Sequence, residues 1–146
     1  MTHLSALDTL IELAAKETDA AAKRLAQAIA DEVAAEQKRS LLAQYRDEYS
    51  GRLQQRMGAG LGAMTCQNFK LFLVKLDDAL GGQQQVVREA QKRIEQERSA
   101  WQAGERKRMS YNTLAARACE ASLRKEVRIE QKQTDEFAAR RLLYKR

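Results

Sequence analysis

The sequence predicts an all-α protein built as one long antiparallel two-helix coiled-coil hairpin. Three observations carry this expectation. The 146 residues include no proline, the residue that breaks helix interiors and punctuates loops. Leu73, Leu80, Val87, Ile94 and Trp101 recur every seven residues, the spacing of a coiled-coil seam. Three of the seven glycines, Gly58, Gly60 and Gly62, cluster in the stretch RMGAGLGAMTC from Arg56 to Cys66, where a turn between two helices belongs.

The first helix is expected over residues 5–57. Ser5-Ala6-Leu7-Asp8 reads as a capping box, with the acid three residues after the cap. Apolar residues follow at close to helical period: Leu7, Leu10/Ile11, Ala14, Ala21, Leu25, Ala28/Ile29, Val33, Leu41/Leu42, Tyr45, Tyr49 and Leu53. Gly58 stops the helix, and the turn occupies residues 58–64. Thr65 caps the second helix, which runs over residues 65–140, with its last turns fraying. Gly81-Gly82 and Gly104 lie inside this helix. Each glycine costs ~1 kcal/mol relative to alanine, so a weak point or a bend is expected there.

Composition fits a single coiled-coil domain spanning residues 1–146. Charged residues make up 32% and aromatics only 5%, and much of the apolar content is alanine. That is too little bulk for a thick globular core and enough for a narrow helix–helix seam. A hairpin centred near Gly60 and Leu61 makes facing residue numbers add to about 121, placing Leu41 opposite Leu80, Ala34 opposite Val87 and Ala20 opposite Trp101. The arms are unequal, at about 50 and about 75 residues. If Leu4 faces Arg117, the last ~29 residues have no intrachain partner. Val127, Ile129, Phe137, Leu142 and Leu143 lie there beside Arg140, Arg141, Lys145 and Arg146. An apolar and basic overhang of this kind suits docking into another protein; the alternative is a frayed tail.

The residues of enzyme chemistry are missing. The glycine cluster is neither a phosphate loop nor a dinucleotide loop, because no Lys-Ser/Thr follows it and no strand precedes it. His3 is the only histidine and sits near a terminus. Cys66 and Cys119 are the only cysteines. On a helix they would lie ~80 Å apart, beyond any disulfide, which fits a reducing cytoplasm. Asp77-Asp78 and Glu95/Glu97 read as surface charges. No metal or cofactor is expected, and a two-helix hairpin offers little of the concavity an enzyme needs. No run approaches 18 apolar residues, so no transmembrane segment is expected, and the N-terminus lacks the pattern of a cleaved signal peptide.

Charge is uneven. Residues 1–60 carry a net charge of −1 and residues 61–146 a net charge of +7. A basic second half suits nucleic acid, an anionic surface or an acidic partner, or it is simply a solvated helix face. A second apolar stripe combines Leu42, Tyr45 and Tyr49 with Phe72, Leu76 and Ala79, triplets that lie level with each other near the tip under the same pairing rule. It is either the flank of a wide seam or an exposed aromatic patch of the kind that binds partners.

These residues, with others in order along the chain, resemble the FliJ family of flagellar export proteins. The resemblance covers nearly the whole chain. It rests on Leu7-Asp8-Thr9-Leu10 with Ala14, Lys16-Glu17 and Asp19; on Tyr45 with Glu48-Tyr49; on Met57-Gly58 with Gly60; on Phe72 with Leu76 and Ala79; on Trp101; and on Gln131-Lys132 before Asp135-Glu136-Phe137-Ala138. It implies a hairpin similar to the central stalk (γ) subunit of rotary ATPases and a non-enzymatic part in flagellar type III export. The implied partners are the ring of the export ATPase FliI, FliH, the export gate protein FlhA and empty export chaperones. The implied location is the cytoplasmic face of the flagellar basal body. The gate-contacting patch falls on Leu42, Tyr45, Tyr49, Phe72, Leu76 and Ala79, while the flanking Lys38 and Gln83 depart from the family's pattern. The stalk analogy turns the chain termini toward the ATPase, which points to Leu7, Leu10, Phe137, Arg140 and Arg141.

Two other readings compete. A basic coiled coil could bind nucleic acid, although acids interleave its basic residues, as in Glu105-Arg106-Lys107-Arg108 and Lys125-Glu126, and stacking aromatics are few. A generic structural coiled coil would have no specific partner.

Overall fold

Two helices account for nearly the whole chain: α1 (Thr2–Gly58) and α2 (Ala63–Tyr144). They pair as an antiparallel helical hairpin in this computed structural model, which describes residues 2–145, with side chains described from Ser5 to Lys145. The side chains of His3 and Leu4 therefore lie outside the described residues. Among the described residues there is no strand.

The helix ends differ from expectation. Because α1 is already helical at Thr2, Ser5 is not its cap; the Ser5 carbonyl instead accepts the Thr9 hydroxyl one turn on, at 2.9 Å. At the other end the Ala59 N–H donates to the carbonyls of both Gln55 and Arg56, and the Gly60 N–H to Met57. This tightening satisfies carbonyls that a helix terminus otherwise leaves open. The residue that turns the chain is Gly60, at φ +89°, a conformation that costs glycine little. Helix α2 starts before Thr65: the Cys66 N–H reaches the Gly62 carbonyl at 3.0 Å, which puts Gly62 at the cap. It then passes Gly81, Gly82 and Gly104 without interruption and stays helical to Tyr144, beyond the expected end near residue 140.

The chain divides into two units, Met1–Asp19 with Gln102–Arg146, and Ala20–Trp101. In the Ala20–Trp101 unit, residues with reduced exposure recur at alternating steps of three and four. On α1 they include Ala21, Leu25, Ala28, Glu32, Ala35, Arg39 and Leu42. On α2 they include Leu73, Leu76, Leu80, Gln83, Val87, Ala90 and Ile94. That is the two-position heptad of a coiled coil. The heptad from Leu73 to Trp101 is one of the two α2 seam positions, with Trp101 half-buried.

The pairing expected on α1 is displaced by one residue. Leu41 is 66% exposed, and Ala34 and Ala20 are also exposed; their neighbours Leu42, Ala35 and Ala21 occupy the seam. Val33 and Tyr45 likewise face outward. The α1 seam admits Glu32, Arg39 and Arg46, whose long stems can cover apolar surface while their charged ends stay in water. Hydrogen bonding to Arg39 holds the Glu36 carboxyl below its usual range.

Cross-helix polar contacts hold this unit in register. Gln83, buried in the seam, donates its Nε2 to the Ala35 carbonyl at 3.0 Å. Arg46 Nε pairs with Asp77 at 2.7 Å, which raises the guanidinium's pKa further. Arg24 Nε pairs with Glu97 at 3.0 Å. Glu97 is thus a partly buried ion-pair member, its side chain 17% exposed, and not the free surface charge expected from sequence.

In the other unit, residues 5–19 lie against α2 from Gln102 to Ala115. Leu7 and Ile11 are half-buried, while Ala14 and Thr18 are buried. The Thr18 hydroxyl donates to the Ala14 carbonyl at 2.8 Å. A Cβ added at Gly104 would lie 2.9 Å from Thr18 Oγ1, so glycine there permits a close helix–helix approach. All described residues from 116 to 145 are exposed.

Candidate functional site: an aromatic patch and a bare helix

Helical spacing and the seam together decide which aromatic residues near the turn are open. Tyr49 and Leu53 lie on the α1 seam, and Phe69, Leu73 and Leu76 on the α2 seam. Tyr49 contacts two phenylalanines, its ring centroid 5.0 Å from Phe69 and 4.7 Å from Phe72, in tilted arrangements. Such pairs add about 1 kcal/mol beyond their area. The Arg56 guanidinium lies over the Phe69 ring, 5.4 Å from its centroid.

The six residues of the second stripe fall into two groups. Leu42 and Tyr49 are half-buried and Leu76 is buried; these three support the seam. Tyr45, Phe72 and Ala79 are exposed, with Tyr45 at 51%. Each of the exposed three immediately precedes a seam residue (Arg46, Leu73 and Leu80), and in an antiparallel pair the preceding positions of both helices share one side. Leu41, which precedes Leu42, and Val86, which precedes Val87, belong to the same side and are also exposed. Sequence reading placed Leu41 in the seam and passed over Val86. Gln83 is a seam residue and Lys38 is open.

The residues expected to meet an ATPase all belong to the Met1–Asp19 and Gln102–Arg146 unit. Leu7 is half-buried against α2, whereas Leu10, Phe137, Arg140 and Arg141 are exposed. Past Ala115 the helix is bare. It carries exposed Leu123, Val127, Ile129, Phe137, Leu142 and Leu143 among basic residues. Along its described residues Arg124 pairs with Glu120 at 2.7 Å.

Among the described residues, no cluster of three or more His, Cys, Asp or Glu side chains is placed to hold a metal ion. Cys66 and Cys119 are both free thiols. No described helix is long and apolar enough to cross a membrane.

What the described residues present is a helical hairpin with exposed apolar and aromatic side chains near its turn and a length of exposed helix past Ala115. The comparisons give the family. The flagellar FliJ protein family matches residues 3–146. Curated flagellar FliJ proteins of Escherichia coli K12 and Salmonella typhi are each 30% identical over 145 residues, covering 99% of this chain and 99% of theirs. The chain belongs to the flagellar FliJ protein family.

Proposed function

We propose that the protein is a non-enzymatic component of the flagellar type III export apparatus, the coiled-coil stalk of the export ATPase ring. In this reading it links the FliI ring, with FliH, to the export gate protein FlhA, and it escorts empty export chaperones. It works in the cytoplasm, at the periphery of the flagellar basal body. The observation that carries the reading is the match to the flagellar FliJ family from residue 3 to residue 146.

Two structural features support the division of labour. The exposed Tyr45, Phe72 and Ala79 give the gate a small apolar surface backed by the seam residues Leu42, Tyr49 and Leu76. The bare helix around Phe137, Arg140 and Arg141, with Leu10 and Leu7 in the same unit, gives the ATPase ring an apolar and basic element to hold. Buried aromatic anchors with basic neighbours are the usual source of affinity at protein interfaces.

Nucleic-acid binding draws less support. Several basic side chains are tied to acids on their own helix, as in Arg98–Glu95 and Arg108–Glu105, and pairing reduces the charge available to phosphates.

The test is reconstitution from purified parts. The chain should co-elute with the export ATPase ring and bind the export gate protein. Failure to bind either, with helicity intact, would return it to a generic structural coiled coil.

A further inference from the structure

We infer that residues 5–19 of α1 form a strap that opens from α2 as one step, with Thr18 and Gly104 at its base. The inference does not depend on the export reading, since it concerns how the hairpin itself is held together.

The strap is shut by little. Its fully buried side chains are Ala14 and Thr18. The hydroxyl of Thr18 is spent on its own helix, on the Ala14 carbonyl. Thr18 meets Gly104, which offers no side chain, and the other residues of reduced exposure on α2 in this unit are Glu105, Arg108, Tyr111 and Ala115. The cross-helix ion pair here, Lys107 to Glu17, spans 3.8 Å between two side chains that are each more than half exposed, and exposed pairs of this kind hold weakly.

The Ala20–Trp101 unit is fastened differently. Leu53, Leu76 and Val87 are buried there, and Gln83, Arg24 and Arg46 each make a short bond across the helices. Local opening follows the regions poorest in buried apolar contacts. The boundary should be sharp, because Ala21 is buried just beyond Thr18 and the Arg24–Glu97 pair follows.

Opening changes what this unit presents. Leu10 and Leu13 are already exposed on the strap, and Leu7 and Ile11 face α2. Release frees Leu7 and Ile11 and uncovers the α2 face from Gly104 to Ala115. Two amphipathic helix faces then become available where the closed strap offers one.

Amide hydrogen exchange on the full chain tests this. Residues 5–19 should exchange together, about tenfold or more faster than residues 20–50, with a step close to Thr18. Gly104→Ala crowds Thr18 while favouring the α2 helix itself. It should therefore speed exchange in residues 5–19 several-fold and leave residues 20–50 unchanged. A smooth gradient from the N-terminus with no step would overturn the inference. So would a step that Gly104→Ala fails to move, or one that it slows.

Discussion

The rings of Tyr49 and Phe72, one from each helix, have centroids 4.7 Å apart, and that of Phe69 lies 5.0 Å from Tyr49. Tyr45, one turn before Tyr49 on the same helix, makes no such ring contact among the described residues and is half open to solvent. The two tyrosines therefore differ in kind. Tyr49→Ala removes a half-buried ring from two aromatic contacts and should cost about 2 kcal/mol of unfolding stability. Tyr45→Ala should change stability by less than about 0.5 kcal/mol. Chemical denaturation of the two single variants measures both. Equal losses would mean that Tyr45 is packed after all.

Gln83 is a polar residue in an otherwise largely apolar stretch of the α2 seam, and its bond to the Ala35 carbonyl suits only one alignment of the helices. A polar seam residue commonly fixes register at a cost in stability. Gln83→Leu should keep full helicity and raise the melting temperature, since both the polar group and its need for a partner disappear. It should also broaden the distribution of registers or oligomers seen by cross-linking and sedimentation. A lower melting temperature would show that the Gln83 bond stabilises more than leucine burial can replace.

Removing residues from Arg128 onward should leave the melting temperature of the paired helices nearly unchanged. Every described residue past that point is exposed, so the truncation takes away no buried contact. Circular dichroism should lose signal only in proportion to the residues removed. Under the proposed function, affinity for the ATPase ring falls in the same variant. A cooperative loss of helicity would show instead that the bare helix supports the pair.

The hairpin was legible in the sequence because its signals are strong and local: no proline, one glycine-rich break and large apolar residues every seventh position from Leu73 to Trp101. The one-residue displacement on α1 was not. Leu41 and Leu42, Ala34 and Ala35, and Ala20 and Ala21 are adjacent residues of like character, so hydrophobicity alone cannot say which of each pair turns inward. The deciding positions hold Thr18, Glu32, Arg39 and Arg46, which apolar periodicity passes over. Gly104 read as a weak point because the cost of glycine to a helix is visible in one segment, whereas its use against Thr18 depends on the other. Stepping three residues on from Trp101 in the heptad would have placed Gly104 on the seam. The stripe of Leu42, Tyr45, Tyr49, Phe72, Leu76 and Ala79 was read as one set, and its inner and outer members separate only once the rotation of each helix about the seam is fixed.

Under the proposed function, the outer aromatic residues engage the export gate while a different part of the chain engages the ATPase ring. One variant, Tyr45→Ala with Phe72→Ala, addresses it by affinity for both partners, with circular dichroism as the control for folding. The account predicts gate binding weakened by ~2 kcal/mol or more, as for interface anchors, ATPase-ring binding unchanged, and helicity retained. Gate binding that survives at full strength in a folded variant would contradict it.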